Sequence, residues 1–243
     1  MPEDHFGEHV AARYDEWDAE SSTHATVDPI VDFLAERAGG GRALELGIGT
    51  GRIALPLARR GVAVHGIDLS AAMLERLRAK PGADAVGVTQ GDFASTRVEG
   101  SFALAYLVVN TIMNLTTQEG QVACFANVAA HLGPGGAFVI EVGVPALRRL
   151  PPGETVRPFH VRPDYLGVDE YDVANQGLIS HHYRVGDGKV DVQSVPFRYV
   201  WPAELDLMAR LAGMRLAERW SGWRGEPFTS ESEMHVSVWR QEA

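Results

Sequence analysis

Short apolar runs alternate with amphipathic segments along the first 150 residues of the chain. Apolar runs bounded by Gly, Pro or Asp predict buried strands, and apolar residues at three- and four-residue spacing predict helices. Strands are predicted over 43–46, 62–68, 85–90, 102–109 and 137–142. Helices are predicted over 6–14, 29–38, 52–60, 70–79 and 117–132. The alternation predicts an α/β domain whose parallel sheet carries helices on both faces.

The pattern changes after residue 150. Segments 178–185 and 189–200 are rich in β-branched and aromatic residues and flank Asp187 and Gly188, which predicts an antiparallel hairpin. A helix over 203–212 and strands over 214–220 and 234–240 follow. The predicted organisation is one domain over 1–243, with four parts. These are an N-terminal helical lid (1–38), a ligand-binding core (39–150), a β insertion or acceptor cap (151–200), and a C-terminal helix and strand pair (201–243).

The strongest chemical signal joins the first two strands. Glu45-Leu46-Gly47-Ile48-Gly49-Thr50-Gly51 follows the first strand, and Asp68 ends the second. Glycines allow a sharp turn and a close approach of the backbone to a ligand. A dinucleotide site has the spacing G-x-G-x-x-G and faces a pyrophosphate. The Glu45 carboxylate would repel a phosphate but attract an ammonium group. The motif therefore predicts an adenosine ligand with a cationic tail, and Asp68 is placed to accept its ribose hydroxyls.

This segment resembles motif I, D/E-x-G-x-G-x-G, of the class I S-adenosylmethionine (SAM) dependent methyltransferases. The turn Leu132-Gly133-Pro134-Gly135-Gly136 and the pair Tyr14-Asp15 are also similar to features of that family, and the resemblance covers about residues 14–240. It implies a Rossmann-like, seven-stranded class I methyltransferase fold with a small antiparallel β insertion after strand 5, an N-terminal helical lid, and SAM as cofactor. The overall layout is similar to actinomycete methyltransferases of natural-product and deoxysugar pathways.

The resemblance also implies a set of cofactor-binding residues. They are Tyr14, Glu45, Gly47, Gly49, Gly51, Arg52, Asp68, Leu69, Met73, Asp92, Phe93 and Asn110, with Asn114 as a further candidate. Three of these have an alternative role: Arg52 as an exposed helix charge, Met73 as a core residue, and Asp92 as a turn former. Tyr14 and Trp17 are expected either to close over the site or to anchor the first helix.

The acceptor side is less specified, and its catalytic candidates are His182, His181 and Tyr14. Neighbouring residues of a strand point to opposite faces, so at most one of the two histidines should enter a given pocket. Further candidates, for each of which a packing or surface role is favoured, are His160, Tyr199, Trp201, Trp223 and Glu141. A hydroxyl acceptor usually needs a base, for which His182 or His181 is available, whereas an amine needs only to be neutral. No spacing of ligand residues predicts a metal site.

Composition limits the function classes. The net charge of −10 argues against a nucleic-acid partner. No apolar run is long enough to span a membrane, no leader segment is evident, and Cys124 is the only cysteine, so a cytoplasmic protein without an intramolecular disulfide is expected. The predicted function is SAM-dependent methyl transfer to an O or N atom of a small-molecule metabolite. The alternative is a SAM-fold protein that binds the cofactor without methylating. The hairpin is expected to wall the acceptor pocket, to form a homodimer interface, or both.

Overall fold

A seven-stranded sheet forms the centre of the molecule, for which a computed structural model describes residues 5–17, 23–186 and 188–242. Its strands are β1 (Ala43–Leu46), β2 (Val64–Asp68), β3 (Val86–Gln90), β4 (Phe102–Leu107), β5 (Leu132–Gly143), β10 (Met214–Trp220) and β11 (Met234–Gln241). The strand order is β10-β11-β5-β4-β1-β2-β3. Strands β1 to β5 are parallel, and β11 pairs antiparallel with both β5 and β10. This arrangement confirms the predicted class I methyltransferase fold.

Helices cover both faces of this sheet, because its strands are apolar on both sides. The helices are α1 (Glu8–Ala11), α2 (Tyr14–Trp17), α3 (His24–Ala38), α4 (Ala54–Arg59), α5 (Ala71–Arg78), α6 (Gln118–Ala129) and α7 (Pro202–Leu211). One apolar cluster lies between the sheet and α6 and α7, and a second lies between the sheet and α3, α4 and α5. Among the described residues, no helix is both long and apolar enough to cross a membrane.

The N-terminal region differs from its prediction. In place of one helix over 6–14 there are the two four-residue helices α1 and α2, because a turn at Ala12 and Arg13 interrupts the helix. Val10 and Ala11 of α1 pack against Met73. Helix α3 begins at His24, five residues before the predicted start at Pro29. Pro29 favoured a first-turn position, but burial of Val27 extends the helix in the N-terminal direction.

The insertion is a four-stranded antiparallel sheet rather than a single hairpin. Its strands, in spatial order, are β6 (Val156–Arg162), β7 (Tyr165–Asp172), β8 (Gly177–Gly186) and β9 (Lys189–Arg198). The predicted hairpin corresponds to β8 and β9, which end and begin at the expected turn; Asp187 of that turn lies outside the described residues. Strands β6 and β7 escaped prediction because most of their residues are exposed or partly exposed. In β7 only Gly167 and Tyr171 are buried, so the apolar alternation is weak.

Candidate functional site

A cavity of about 430 Å³ opens where the parallel strands end, between the central sheet, the N-terminal helices and the insertion. Ligands of open α/β sheets bind at this edge. The cavity brings together most of the predicted site residues. They are Tyr14, Glu45, Gly47, Gly49, Arg52, Asp68, Leu69, Met73, Asp92, Phe93, Asn110, Asn114 and His182.

The motif I loop is held by hydrogen bonds to the end of β2. The N–H of Gly47 donates to the Ile67 carbonyl at 2.8 Å. The Asp68 carboxylate accepts from the N–H of Gly49 at 2.7 Å and from that of Ser70 at 2.9 Å, so its orientation is defined by the backbone. Gly49 has a φ of +54°, and a Cβ placed on it would meet nothing within 4 Å. The space above the loop therefore remains open for a ligand to approach the backbone closely.

Glu45 is the most perturbed acid of the site. Its side chain is only 3% exposed, and the Tyr106 hydroxyl donates to its carboxylate at 2.9 Å. Burial raises the pKa of Glu45 to about 8, against the lowering effects of the Tyr106 hydrogen bond and the Arg52 charge. A buried carboxyl of this kind is neutral at pH 7 until a cation reaches it. Together with Asp68 and Asp92, it gives the cavity a set of carboxyl groups that can accept hydrogen bonds from an ammonium and from ribose hydroxyls.

The opposite end of this pocket is apolar. Phe93 and Met73 are buried there, and both line the cavity. Met73 also packs against Val10. It therefore has both of the roles that the sequence allowed, as a core residue and as a residue of the cavity lining. Asp92 accepts from the Ala94 N–H at 2.9 Å, which is the turn-forming role, while it also lines the cavity.

Two of the predicted site residues lie elsewhere. Gly51 does not line the cavity; a Cβ there would meet Leu77 and Leu55, so this glycine serves helix packing. His181 faces away from the cavity, with its ring nitrogens 2.8 Å from the Ser194 hydroxyl and 3.2 Å from the Glu170 carboxylate. His181 is therefore not in reach of an acceptor in the cavity.

The remaining acceptor candidates also lie outside this cavity. Trp201 is exposed at the start of α7, and the centre of the His160 ring lies 4.8 Å from that of the Tyr165 ring. Buried Tyr199 lines a neighbouring cavity of about 270 Å³. Glu141 and Trp223 hydrogen-bond to each other at 3.1 Å behind the cavity wall.

One face of the insertion lines the cavity, and most of its residues were missed from the sequence. They are Phe159, Asp169, Leu178, Ser180 and Phe197, beside the predicted His182. The pairing of β7 with β8 places Asp169 opposite Ser180. The signal that could have found Asp169 is the alternation of 165–171, in which Asp169 and Tyr171 share a face.

The polar groups of this wall are Asp169 and His182. The Ser180 hydroxyl donates to Asp169 at 2.8 Å, and burial raises the pKa of Asp169 although this hydrogen bond opposes the shift. Burial, with the charge of Arg184, lowers the pKa of His182 to about 4. His182 is thus neutral at pH 7, and its Nδ1 lies 2.7 Å from the Tyr165 hydroxyl. Asp169 is the carboxylate available to a ligand on this side.

The N-terminal helices cover the cavity and are fastened to the motif I loop. The Thr50 hydroxyl donates to Asp15 at 2.7 Å, and the Lys80 ammonium lies 2.8 Å from the same carboxylate. Burial raises the pKa of Asp15, but these two hydrogen bonds outweigh it and leave the pKa below its ordinary value. Tyr14 lines the cavity beside this contact. The side chain of Trp17, its predicted partner, lies outside the described residues.

Cofactor binding is expected to order this lid. Amide hydrogen exchange over residues 8–17 should slow when S-adenosylhomocysteine (SAH) is added, because the lid then packs on a filled cavity. Asp15→Ala should abolish most of the slowing, since it removes the contact with Thr50. Glu16→Ala, which changes an exposed neighbour of Asp15, should not. Equal exchange with and without SAH in the wild type would contradict a lid function.

A Rossmann-like sheet with an antiparallel last strand, a glycine loop of the spacing E-x-G-x-G-x-G after β1 and an acid at the end of β2 is the arrangement of the class I SAM-dependent methyltransferases. A family model described as a methyltransferase domain matches residues 43–136. The cypemycin N-terminal methyltransferase of a Streptomyces species is 30% identical over 210 residues, which cover 83% of this chain and 84% of that protein. The chain belongs to the SAM-dependent methyltransferase family, and its cofactor is SAM.

Solved structures agree with this assignment. The CcbJ methyltransferase from Streptomyces caelestis is 35% identical, with a TM-score of 0.87 and 98% of each chain covered. SAM-bound CalS10, an amino pentose methyltransferase from Micromonospora echinaspora, is 21% identical, with a TM-score of 0.71 over 93% of this chain and 96% of its own. The likeness to CalS10 is one of fold. Because these relatives are methyltransferases, the alternative of a protein that binds SAM without methylating is not favoured.

Proposed function

We propose that this enzyme transfers the methyl group of SAM to an amine nitrogen of a small-molecule metabolite. The observation that carries the proposal is the Asp169 carboxylate, which lines the acceptor side of the cavity and is oriented by Ser180. A carboxylate in this wall can accept a hydrogen bond from a neutral amine and orient its lone pair. The bound SAM supplies an electrophilic methyl group on a sulfonium.

The charge balance of the reaction favours a carboxylate at this place. Transfer to a neutral amine forms the N–CH₃ bond and breaks the S–CH₃ bond, so the positive charge moves from sulfur to nitrogen. Asp169 stabilises the ammonium charge as it develops, in a site partly closed to water. The product ammonium then loses its proton to Asp169 and from there to solvent.

A hydroxyl acceptor is less well served by the same residues. It must lose its proton to a base during attack. With its pKa lowered to about 4, His182 is a weak base. Its hydrogen bond with Tyr165 instead suits it to orient the acceptor through the other ring nitrogen.

The relatives and the charge support this substrate class. The cypemycin enzyme is named for methylation at an N-terminus, and CalS10 for methylation of an amino pentose in calicheamicin biosynthesis. We accordingly place the acceptor among amine-bearing secondary metabolites. The net charge of −10 disfavours nucleic acid as the acceptor.

The test is transfer of a labelled methyl group. The purified enzyme is incubated with methyl-¹³C SAM and the amine-containing small-molecule fraction of its source organism, and the product is analysed by NMR. A labelled methyl carbon with the chemical shift of an N-methyl group supports the proposal. Label on oxygen would refute it, and binding of SAM without any transfer would revive the non-methylating alternative.

The outer face of the insertion is the surface that we propose for a homodimer. It exposes apolar side chains in register across the four strands, among them Val161, Leu166 and Val192. An exposed apolar face of this extent is typical of an interaction site. Light scattering should report a dimer for the wild type and a monomer for Val161→Glu/Val192→Glu. A wild-type monomer would exclude this interface.

A further inference from the structure

The backbone is strained at one wall of the cavity, directly after β4. Val109 has a φ of 55° and Asn110 a φ of 60°, so two consecutive residues adopt the left-handed conformation. Asparagine tolerates this region, but for a β-branched residue it is a clear outlier. Such strain persists only where the surrounding structure enforces it, and it concentrates at functional sites.

Residues of the neighbouring strand β5 enforce this conformation. The Glu141 carboxylate accepts from the Val109 N–H at 2.9 Å, and the Glu141 carbonyl accepts from the Asn110 N–H at 3.3 Å. The Asn110 side chain in turn accepts from the Gly143 N–H at 2.7 Å. The peptide units of the strained pair are therefore oriented by β5 and not by β4 alone.

The Glu141 carboxylate is itself held in place. Its second oxygen accepts from the Trp223 indole N–H at 3.1 Å. The Trp223 ring packs edge-on against Phe33 of α3, with 5.2 Å between the ring centroids. A series of contacts thus connects Phe33 of α3, through Trp223 and Glu141, to the backbone of Val109.

The strained pair separates the two halves of the cavity. Val109, Asn110 and Thr111 line it, together with the motif I residues on one side and Asp169 and His182 on the other. The wall lies tightly against motif I, because a Cβ on Gly47 would come within 2.5 Å of the Thr111 side chain. A change in the backbone at 109–110 would therefore alter the cofactor side as well as the acceptor side.

We propose that Glu141 and Trp223 are positioning residues, which hold Val109 and Asn110 in the strained conformation that the cofactor requires. Without them Val109 relaxes toward an ordinary backbone conformation, and only a fraction of the molecules has a competent site. The apparent dissociation constant rises by the inverse of that fraction. The proposal rests on SAM binding and is independent of the acceptor that the enzyme methylates.

Calorimetric binding of SAM to four proteins tests the proposal. They are the wild type, Glu141→Gln, Val109→Gly and the double variant. Glutamine keeps the size of the side chain, but its single oxygen cannot serve both Val109 and Trp223. We expect Glu141→Gln to weaken SAM binding about tenfold in the wild type, which corresponds to about 1.4 kcal/mol. In the Val109→Gly background Glu141→Gln should weaken SAM binding less than twofold, because glycine adopts the left-handed conformation without strain.

Two further variants separate positioning from a general loss of structure. Trp223→Phe keeps the ring but removes the indole N–H, and its effect on SAM affinity should not add to that of Glu141→Gln. Glu218→Gln makes the same change at another carboxylate that accepts from an indole N–H, that of Trp220 at 3.0 Å outside the cavity, and should leave SAM affinity unchanged. Thermal unfolding confirms that each variant is folded. The proposal would be overturned if Glu141→Gln weakened SAM binding equally in the wild-type and the Val109→Gly backgrounds. It would also be overturned if Glu141→Gln weakened SAM binding in neither background.

Discussion

Asp169→Asn is expected to lower the turnover number about 100-fold while the affinity for SAM changes less than twofold. The amide keeps the shape of the side chain and its hydrogen bond with Ser180, but it can neither stabilise the charge that develops on an amine nor take its proton. Losses of 10² to 10⁴ are typical when a positioned acid–base group is removed. Stopped assays of methyl transfer, with calorimetry for SAM, measure the two effects separately.

The neighbouring strand position supplies the matched control. Glu170 lies next to Asp169 on β7 but points to the opposite face, where it contacts His181. Glu170→Gln removes the same charge from the same strand and should leave the turnover number within twofold of the wild type. If Asp169→Asn retained more than half of the wild-type turnover, the role of Asp169 in N-methylation would be excluded.

The pH dependence of turnover gives a second measurement of Asp169. Burial raises the pKa of this carboxyl, so its charged form is lost at a higher pH than that of an ordinary aspartate. Turnover should therefore fall, as the pH is lowered, beginning above the ordinary pKa range of Asp. In Asp169→Asn the fall in turnover that comes from protonation of Asp169 should be absent. The remaining activity should follow only the protonation of the amine acceptor.

Glu45→Gln is expected to stabilise the free protein at pH 8 and to weaken SAM binding at the same pH. The folded-state pKa of Glu45 is raised to about 8 from an ordinary value of 4.5. Below pH 4.5 Glu45 is protonated in both the folded and the unfolded protein, and its contribution to the free energy of unfolding is fully present. This contribution is lost as the pH rises through the folded-state pKa of about 8. Glutamine resembles the protonated acid at every pH. The difference in melting temperature between variant and wild type should thus grow from pH 5 to pH 8.

SAM binding should favour the charged form of Glu45, whereas folding favours the protonated form. The ammonium of SAM stabilises charged Glu45, so binding to the wild type is expected to release a proton and to strengthen as the pH rises toward 8. Glu45→Gln cannot release this proton, and it should bind SAM at least tenfold more weakly at pH 8, in line with the loss of a charged hydrogen bond. Calorimetry in buffers of different ionisation enthalpy counts the proton.

The exposed Glu75 of α5 provides the control for this pair of effects. Glu75→Gln should change neither the melting temperature nor the affinity for SAM in a pH-dependent way. Proton release by the Glu45→Gln variant equal to that of the wild type would show that another group titrates. Unchanged affinity would remove Glu45 from the cofactor site.

The sequence could group the predicted cofactor residues at one edge of the sheet because the signals for them are local in the chain. The spacing of Glu45, Gly47 and Gly49 sets a turn within one loop, and Asp68 follows at the end of the next strand. Strands that are apolar on both faces can only form a covered parallel sheet, which places both segments at the same edge. The opposite directions of His181 and His182 likewise follow from the period of a strand.

The acceptor half was decided by tertiary structure. Asp169 reaches the cavity only because β7 pairs with β8 in one register, and a shift by one residue would bring Glu170 to the cavity instead. The strain at Val109 comes from Glu141, 32 residues away, and Trp223 holds Glu141 from a still more distant segment. Even for Glu45, the sequence determined that an acid stands beside the loop, whereas burial by the folded chain determined that it holds its proton. Local spacing specifies turns and faces, but register, strain and protonation depend on which distant segments pack together.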